Sequence, residues 1–244
     1  MEALIEENGL SADARRLFER LENAYMVLSF SSGHSQKMEA QRLQKAGFLI
    51  PQERIYTSTM AAADAIRHHW PDRVHMDMIG TKAMEEILHT AGFIRTGKPD
   101  WFFVGKNRQA CFDEYSNALE MIMQGAKLVS LDSRMRQYLH GHVALGEGAI
   151  VKMLEAASQT QALPFDQINL WVLKQAARYG NFQTDAVAVV DCGKRWHLEE
   201  LNQAGIQTVL VAHQGISENL FQAKIHPTWI VKSLAGLYRT LYGA

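Results

Sequence analysis

The stretch AVAVVDCGKRWHLEEL, residues 186–201, decides how this chain is read. Five small apolar residues run straight into an acid, Asp191, and a helical pattern follows. A short apolar run of this kind, followed by a helical pattern, reads as a strand over 186–190 of an α/β sheet. In an open α/β sheet, ligands bind outside the carboxyl ends of the strands. Asp191 therefore stands where such a sheet delivers a carboxylate to a site, and the question is which groups stand with it.

The pattern extends in both directions. Downstream, helix is expected over 198–204 and strand over 207–212, and PTWIVKSLAGLYRTL (227–241) supplies a last strand and helix. Upstream, helices are expected over 166–179, 148–158, 114–124 and 81–90, the last stopped before Gly92. Strands are expected over 127–131, 101–104 and 74–79. ERIYTSTMAAADAIRHH (53–69) reads as a short strand and then a helix capped by Ser58. Helix over 36–46 stops at Gly47, a C-cap residue. A strand over 24–28 runs into the polar loop Ser29-Phe-Ser-Ser-Gly-His-Ser35. Ala14, Leu17, Phe18 and Leu21 share one face of an amphipathic helix over 12–21, with Ser11 as its cap. Short apolar strands alternating with helices indicate α/β architecture with mostly parallel sheets. Two α/β blocks emerge: residues 1–56 with 160–244, and 57–159 between them.

Composition narrows the class. The chain has 244 residues, 47% of them hydrophobic, enough for one large domain or two small ones. A net charge of -1 and a pI near 6.8 argue against recognition of nucleic acid or a membrane surface by charge. Cys111 and Cys192, without metal-ligand spacing, fit a reduced, cytoplasmic protein better than a disulfide framework. No apolar run approaches the roughly 18 to 20 residues of a membrane span. The acidic start MEALIEENGL lacks a signal-peptide core.

Seven phrases, in order, carry a family resemblance. They are VLSFSSGHSQKMEAQRLQKAGF (27–48), ERIYTSTMAAADAI (53–66), DMIGTKAMEEILHTAGF (77–93) and VGKNRQACFDEYSNALEMIMQGAKLVSLD (104–132). LGEGAIVKMLEAAS (145–158), VVDCGKRWHLEELNQAGIQTVLVAHQGIS (189–217) and HPTWIVKSLAGL (226–237) complete the set. Together they resemble the haloacid-dehalogenase-like phosphatases of the NagD and 4-nitrophenylphosphatase type. The resemblance implies a Rossmannoid core, a mostly parallel sheet with helices on both faces, at 1–56 and 160–244. It also implies an inserted α/β cap of the C2 type at 57–159.

The family's phosphoryl-transfer site has four parts. An Asp nucleophile attacks phosphorus and a second Asp protonates the leaving group. A Thr or Ser and a Lys hold the phosphoryl oxygens. Acids at the end of a later strand share Mg²⁺ with the nucleophile. Against this pattern, MEALIEENGLSADA aligns just after the family's Asp-x-Asp-Gly. The first aspartate is Asp13, within a helix, and Glu2, Glu6 and Glu7 read as a solvated segment. Ser29 aligns with the phosphate-binding Thr, as a remnant anion contact or a polar loop residue. Phe30 and Ser31 take the places of two Asn. Leu163 aligns with the lysine, and Lys152 and Lys174 on flanking helices read as solvated. Asp191 aligns with the first metal acid and the second falls at Trp196 or His197. Lys194 and Arg195 in the same loop repel a cation. Asp191 is thus a remnant metal ligand, a partner of those cations, or a helix cap, and Glu199 is a remote substitute ligand.

The resemblance then implies a fold kept after its chemistry was lost, with no catalytic residue assigned and no cofactor expected. Its partner would be a small phosphorylated ligand or a protein, a second copy of the chain included. The alternative is an active Mg²⁺-dependent phosphatase of small phosphorylated metabolites whose nucleophile strand is missing from this chain. Asp132 and Arg134, in SLDSRMRQ (130–137), occupy a loop resembling the family's substrate-specificity loop, and either contact a ligand or are solvated. His68, His69, His75, His140 and His142 read as exposed side chains rather than metal ligands. Met60, Met76, Met78, Met84, Met121 and Met123 read as core filler.

Overall fold

Five strands through the middle of the chain pair side by side and all in parallel. They are β3 (His75–Ile79), β4 (Ile94–Arg95), β5 (Trp101–Val104), β6 (Lys127–Ser130) and β9 (Leu163–Pro164), in the spatial order β4-β3-β5-β6-β9. The computed structural model describes residues 12–139, 142–192, 197–212 and 226–243. The chain divides into two units: Met1–Leu28 with Met38–Tyr56 and Gln167–Ala244, and Ser29–Lys37 with Thr57–Asp166. The five-stranded sheet belongs to the second.

Alternation along its strands explains its two packed faces. Ile79, Phe102, Val104 and Leu128 point to one side, where α5 (Phe112–Met123) and α6 (Glu147–Ser158) cover them with Ala118, Ile122, Val151 and Leu154. Met76, Met78, Trp101 and Phe103 are equally buried. Phe103 meets Phe93 edge-on at 5.7 Å. On the last-named side chains' face, α3 (Ser58–His69) and α4 (Lys82–Thr90) run against each other. The expected cap of α3 needs correction: Thr57, not Ser58, accepts the Met60 N–H, and Ser58 is the first buried residue of the helix. Helix α5 starts two residues earlier than expected, because Glu114 reaches back to the Cys111 N–H at 2.8 Å. Met123 is not core filler: it is 69% exposed at the end of α5.

A hairpin, β7 (Arg136–Leu139) and β8 (His142–Leu145), was not expected from the sequence. Its turn, which carries His140, lies outside the described residues. Val143 and Leu145 are exposed, so the period-2 signal that burial imposes on a strand is missing.

The first unit holds a parallel sheet of β10 (Ala188–Asp191), β11 (Gln207–Val211) and β12 (Trp229–Val231). Val209, Val211 and Val231 pack against Ala14 and Leu17 of α1 (Ala12–Leu21) and Leu234 and Leu237 of α9 (Leu234–Tyr242). Helix α1 has the bounds expected for it, while its expected cap, Ser11, lies outside the described residues. Val27, on β1 (Val27–Ser29), and Ile55, on β2 (Ile55–Thr57), pack with Leu43 of α2 (Gln36–Lys45), Phe48 and Ile50. The helix expected from 166 begins later, as α7 (Leu170–Gly180), capped by Asn169 on the Val172 N–H at 2.8 Å. Helix α8 (Leu198–Gln203) joins β10 to β11.

Candidate functional site

Parallel strands all release their chain at one edge, and three loops leave the five-stranded sheet together there. Gly80 and Thr81 follow β3, Gly105 and Lys106 follow β5, and residues 131–135 follow β6. Strand β4 lies on one side of β3 while β5 lies on the other, so the winding reverses between β3 and β5. Such a reversal opens a crevice beyond the carboxyl ends of the two strands. The loop that begins at Ser29 is seated there. Thr81 Oγ1 donates to the Gly33 carbonyl at 2.9 Å, and the Lys106 N–H donates to Ser32 Oγ at 3.0 Å.

Glycines make this approach possible. A Cβ on Gly33 would fall 2.9 Å from Lys106 Cβ and 3.1 Å from its Cδ, so the lysine stem lies along Gly33. A Cβ on Gly105 would come 2.6 Å from Met84 Sδ and 3.2 Å from Ser32 Cβ. Ser29 itself is buried at the end of β1, with its Oγ turned to the Ser31 N–H at 3.4 Å. Ser32, Gly33, Thr81 and Lys106 were not singled out in the sequence. The available signal was a glycine directly after two apolar strands, in IGT (79–81) and VGK (104–106).

The loop after β6 is built differently from the solvated alternative expected for it. Asp132 is 1% exposed, and Arg134 Nε donates to both its carboxylate oxygens at 2.9 Å, with Nη2 bonded to Oδ2 as well. This fork compensates the Arg134 charge within the loop. The Ser133 N–H donates to Asp166 Oδ2 at 2.6 Å. The carbonyls of Arg134 and Met135 accept from the N–H groups of Gly148 and Gly146 at 3.0 and 2.9 Å. The loop therefore satisfies donors at the start of α6 that have no partner within the helix.

In the first unit, Asp191 ends β10, 7% exposed and opposite Leu210 on β11. Lys194, Arg195 and Trp196 lie outside the described residues, and so do their expected contacts with Asp191. His197 precedes α8, donates its N–H to the Ile168 carbonyl at 2.8 Å, and turns its ring nitrogens to Gln167 Oε1 and toward Glu200. Glu199 is exposed and meets Gln203 at 3.4 Å. No carboxylate occurs from 192 to 197. Among the described residues, no group of three or more His, Cys, Asp or Glu side chains could hold a metal. Among the described residues, Asp191 alone at the end of β10 does not supply the set of oxygen ligands that Mg²⁺ takes. Leu163 lies on β9 opposite Val129, Lys152 pairs with Glu155 at 2.6 Å, and Lys174 is exposed. His68 and His69 are exposed and meet each other edge-on at 5.0 Å, and His75 pairs with Asp100. His142 is exposed on β8. No helix among the described residues is long and apolar enough to cross a membrane.

A family model described as haloacid dehalogenase-like hydrolase matches residues 3–94. The chain is 24% identical over 240 residues to dihydroxyacetone phosphatase of Corynebacterium glutamicum, covering 96% of this chain and 86% of that protein. It is 26% identical over 201 residues to ribonucleotide monophosphatase NagD of Escherichia coli K12, covering 80% of this chain and 77% of that one. The solved structure of NagD from Escherichia coli K-12 superposes with a TM-score of 0.84 at 23% identity, over 96% of this chain and 94% of that one. The sequence likeness along nearly the whole chain and the shared fold agree: the chain has the haloacid dehalogenase-like fold and is similar to the NagD-type phosphatases.

Proposed function

We propose that this NagD-like chain binds a small phosphorylated ligand and has lost the power to hydrolyse it. In this reading residues 1–56 and 160–244 are the core, 57–159 are a C2-type cap, and Ser29 is the retained hydroxyl contact to the phosphate. The observation that carries the reading is Leu163, a half-buried leucine on β9 that the sequence resemblance aligns with the family's phosphate-binding lysine. A leucine gives a phosphate neither a donor nor a charge as negative charge builds on the leaving oxygen. Support comes from the acid end of β10, where the position of the second acid falls at Trp196 or His197 and no carboxylate occurs from 192 to 197. Asp191 is then a remnant of a metal site rather than a ligand.

The test is a turnover assay with Mg²⁺ on nitrophenyl phosphate and a panel of phosphosugars, run beside calorimetric titration with inorganic phosphate. The expected result is turnover at the protein-free rate together with saturable phosphate binding that Ser29→Ala weakens. Robust turnover abolished by Asp191→Ala overturns the proposal.

A further inference from the structure

We infer that Lys106 is the cation of this anion site, supplying from the loop after β5 the charge that Leu163 does not. The inference rests on the proposed binding of a phosphorylated ligand by the Ser29 loop. Three observations carry it. The backbone of Lys106 is fastened to that loop by its N–H on Ser32 Oγ, at 3.0 Å. Its stem runs along Gly33, where a side chain of any size would displace it. Among the described residues no carboxylate forms an ion pair with its ammonium, whereas Arg134, Arg95 and Lys152 are each neutralised by an acid.

Placement explains why this lysine and not another would act. Lys106 leaves the sheet at the reversal between β3 and β5, where an α/β fold forms its ligand crevice. Thr81 closes the other side of the same crevice by holding the Gly33 carbonyl at 2.9 Å. The loop is thereby gripped from both strands, and the side chain lying on it carries a positive charge that no acid among the described residues neutralises. Lys106 is half-buried as a residue, and a charge near low-dielectric protein is less screened than one in open solvent. A lysine acts as a point charge on a flexible stem, and does not need the fixed geometry that an arginine fork requires.

The experiment is calorimetric titration of the full chain with inorganic phosphate at low and high ionic strength. The variants are Lys106→Met, which keeps the stem on Gly33, Lys106→Arg, which keeps the charge, and Lys152→Met as a remote control. Thermal unfolding checks that each variant is folded. Expected are a loss of about tenfold or more in affinity for Lys106→Met, retention within a few-fold for Lys106→Arg and Lys152→Met, and a weaker salt dependence in Lys106→Met. Unchanged affinity and salt dependence in folded Lys106→Met overturn this inference while leaving the proposed function standing. Absence of phosphate binding by the unsubstituted chain overturns both.

Discussion

Asp166 Oδ2 accepts the Ser133 N–H at 2.6 Å, across 33 residues of sequence. Asp166 is fully buried, and its bond fixes the middle of the loop whose flanks are held by Asp132, Arg134 and the first turn of α6. Asp166→Ala leaves the Ser133 N–H without that acceptor. Losing a charge-assisted bond of this kind costs about 1.5–3 kcal/mol. Urea denaturation should show a midpoint lowered accordingly, with Asp166→Asn intermediate because its amide oxygen still accepts.

Two glycines in helices should respond to alanine with opposite signs. A Cβ on Gly148, in the first turn of α6, would overlap the Ser133 carbonyl. A Cβ on Gly236, in α9, meets nothing closer than Ser233 Oγ at 3.7 Å and Val231 Cβ at 3.8 Å. Alanine is the better helix former by about 1 kcal/mol, so Gly236→Ala should stabilise by about 0.5–1 kcal/mol. Gly148→Ala should instead destabilise by about 1–3 kcal/mol, because the backbone of the loop must move. Paired thermal melts measure both, and equal signs would contradict the close approach.

These contacts show which parts of the molecule were legible in the sequence. Strand β5, WFFV, was readable to the residue because all four side chains are buried and an apolar run is what burial on two faces selects. Helix α1 was readable because its apolar residues repeat at helical spacing on one face. Asp166 falls within the helix expected over 166–179, which in the structure begins only at Leu170. The actual cap is Asn169, and Asp166 is committed to a partner that local pattern cannot reveal. The bond from Lys106 to Ser32 spans 74 residues and was invisible for the same reason. The hairpin was missed because its exposed Val143 and Leu145 face no core that would impose a period.

Leu163→Lys tests the reading of β9 from the opposite direction. Leu163 is half-buried on an edge strand, and a lysine there can lay its stem along the sheet and keep its ammonium at the surface. If a charge at this position is what the chain lacks, inorganic phosphate should bind about tenfold more tightly, the gain of one charge-assisted contact. Stability should fall by about 1 kcal/mol at most, from lost apolar burial. Calorimetry with phosphate reads the first and urea denaturation the second.

The start and end of α6 differ in how they use charge, and the end gives a pH-dependent prediction. Burial raises the carboxyl pKa of Glu155, but bonds from Lys152 Nζ at 2.6 Å and the Ala162 N–H at 2.9 Å, with the attraction of the ammonium, outweigh it. The net effect lowers the group from its ordinary value of 4.5. A depressed folded-state pKa contributes stability that is present above the unfolded value and is lost as pH falls through the folded one. The wild-type chain should therefore exceed Glu155→Gln in stability at neutral pH, by about 0.5 kcal/mol given that Lys152 is mostly exposed. The difference should shrink as the pH drops below 4.5, and denaturation of both chains at pH 7 and near pH 3 measures it. A gap that widened in acid would show that Glu155 is held by burial rather than by its partners.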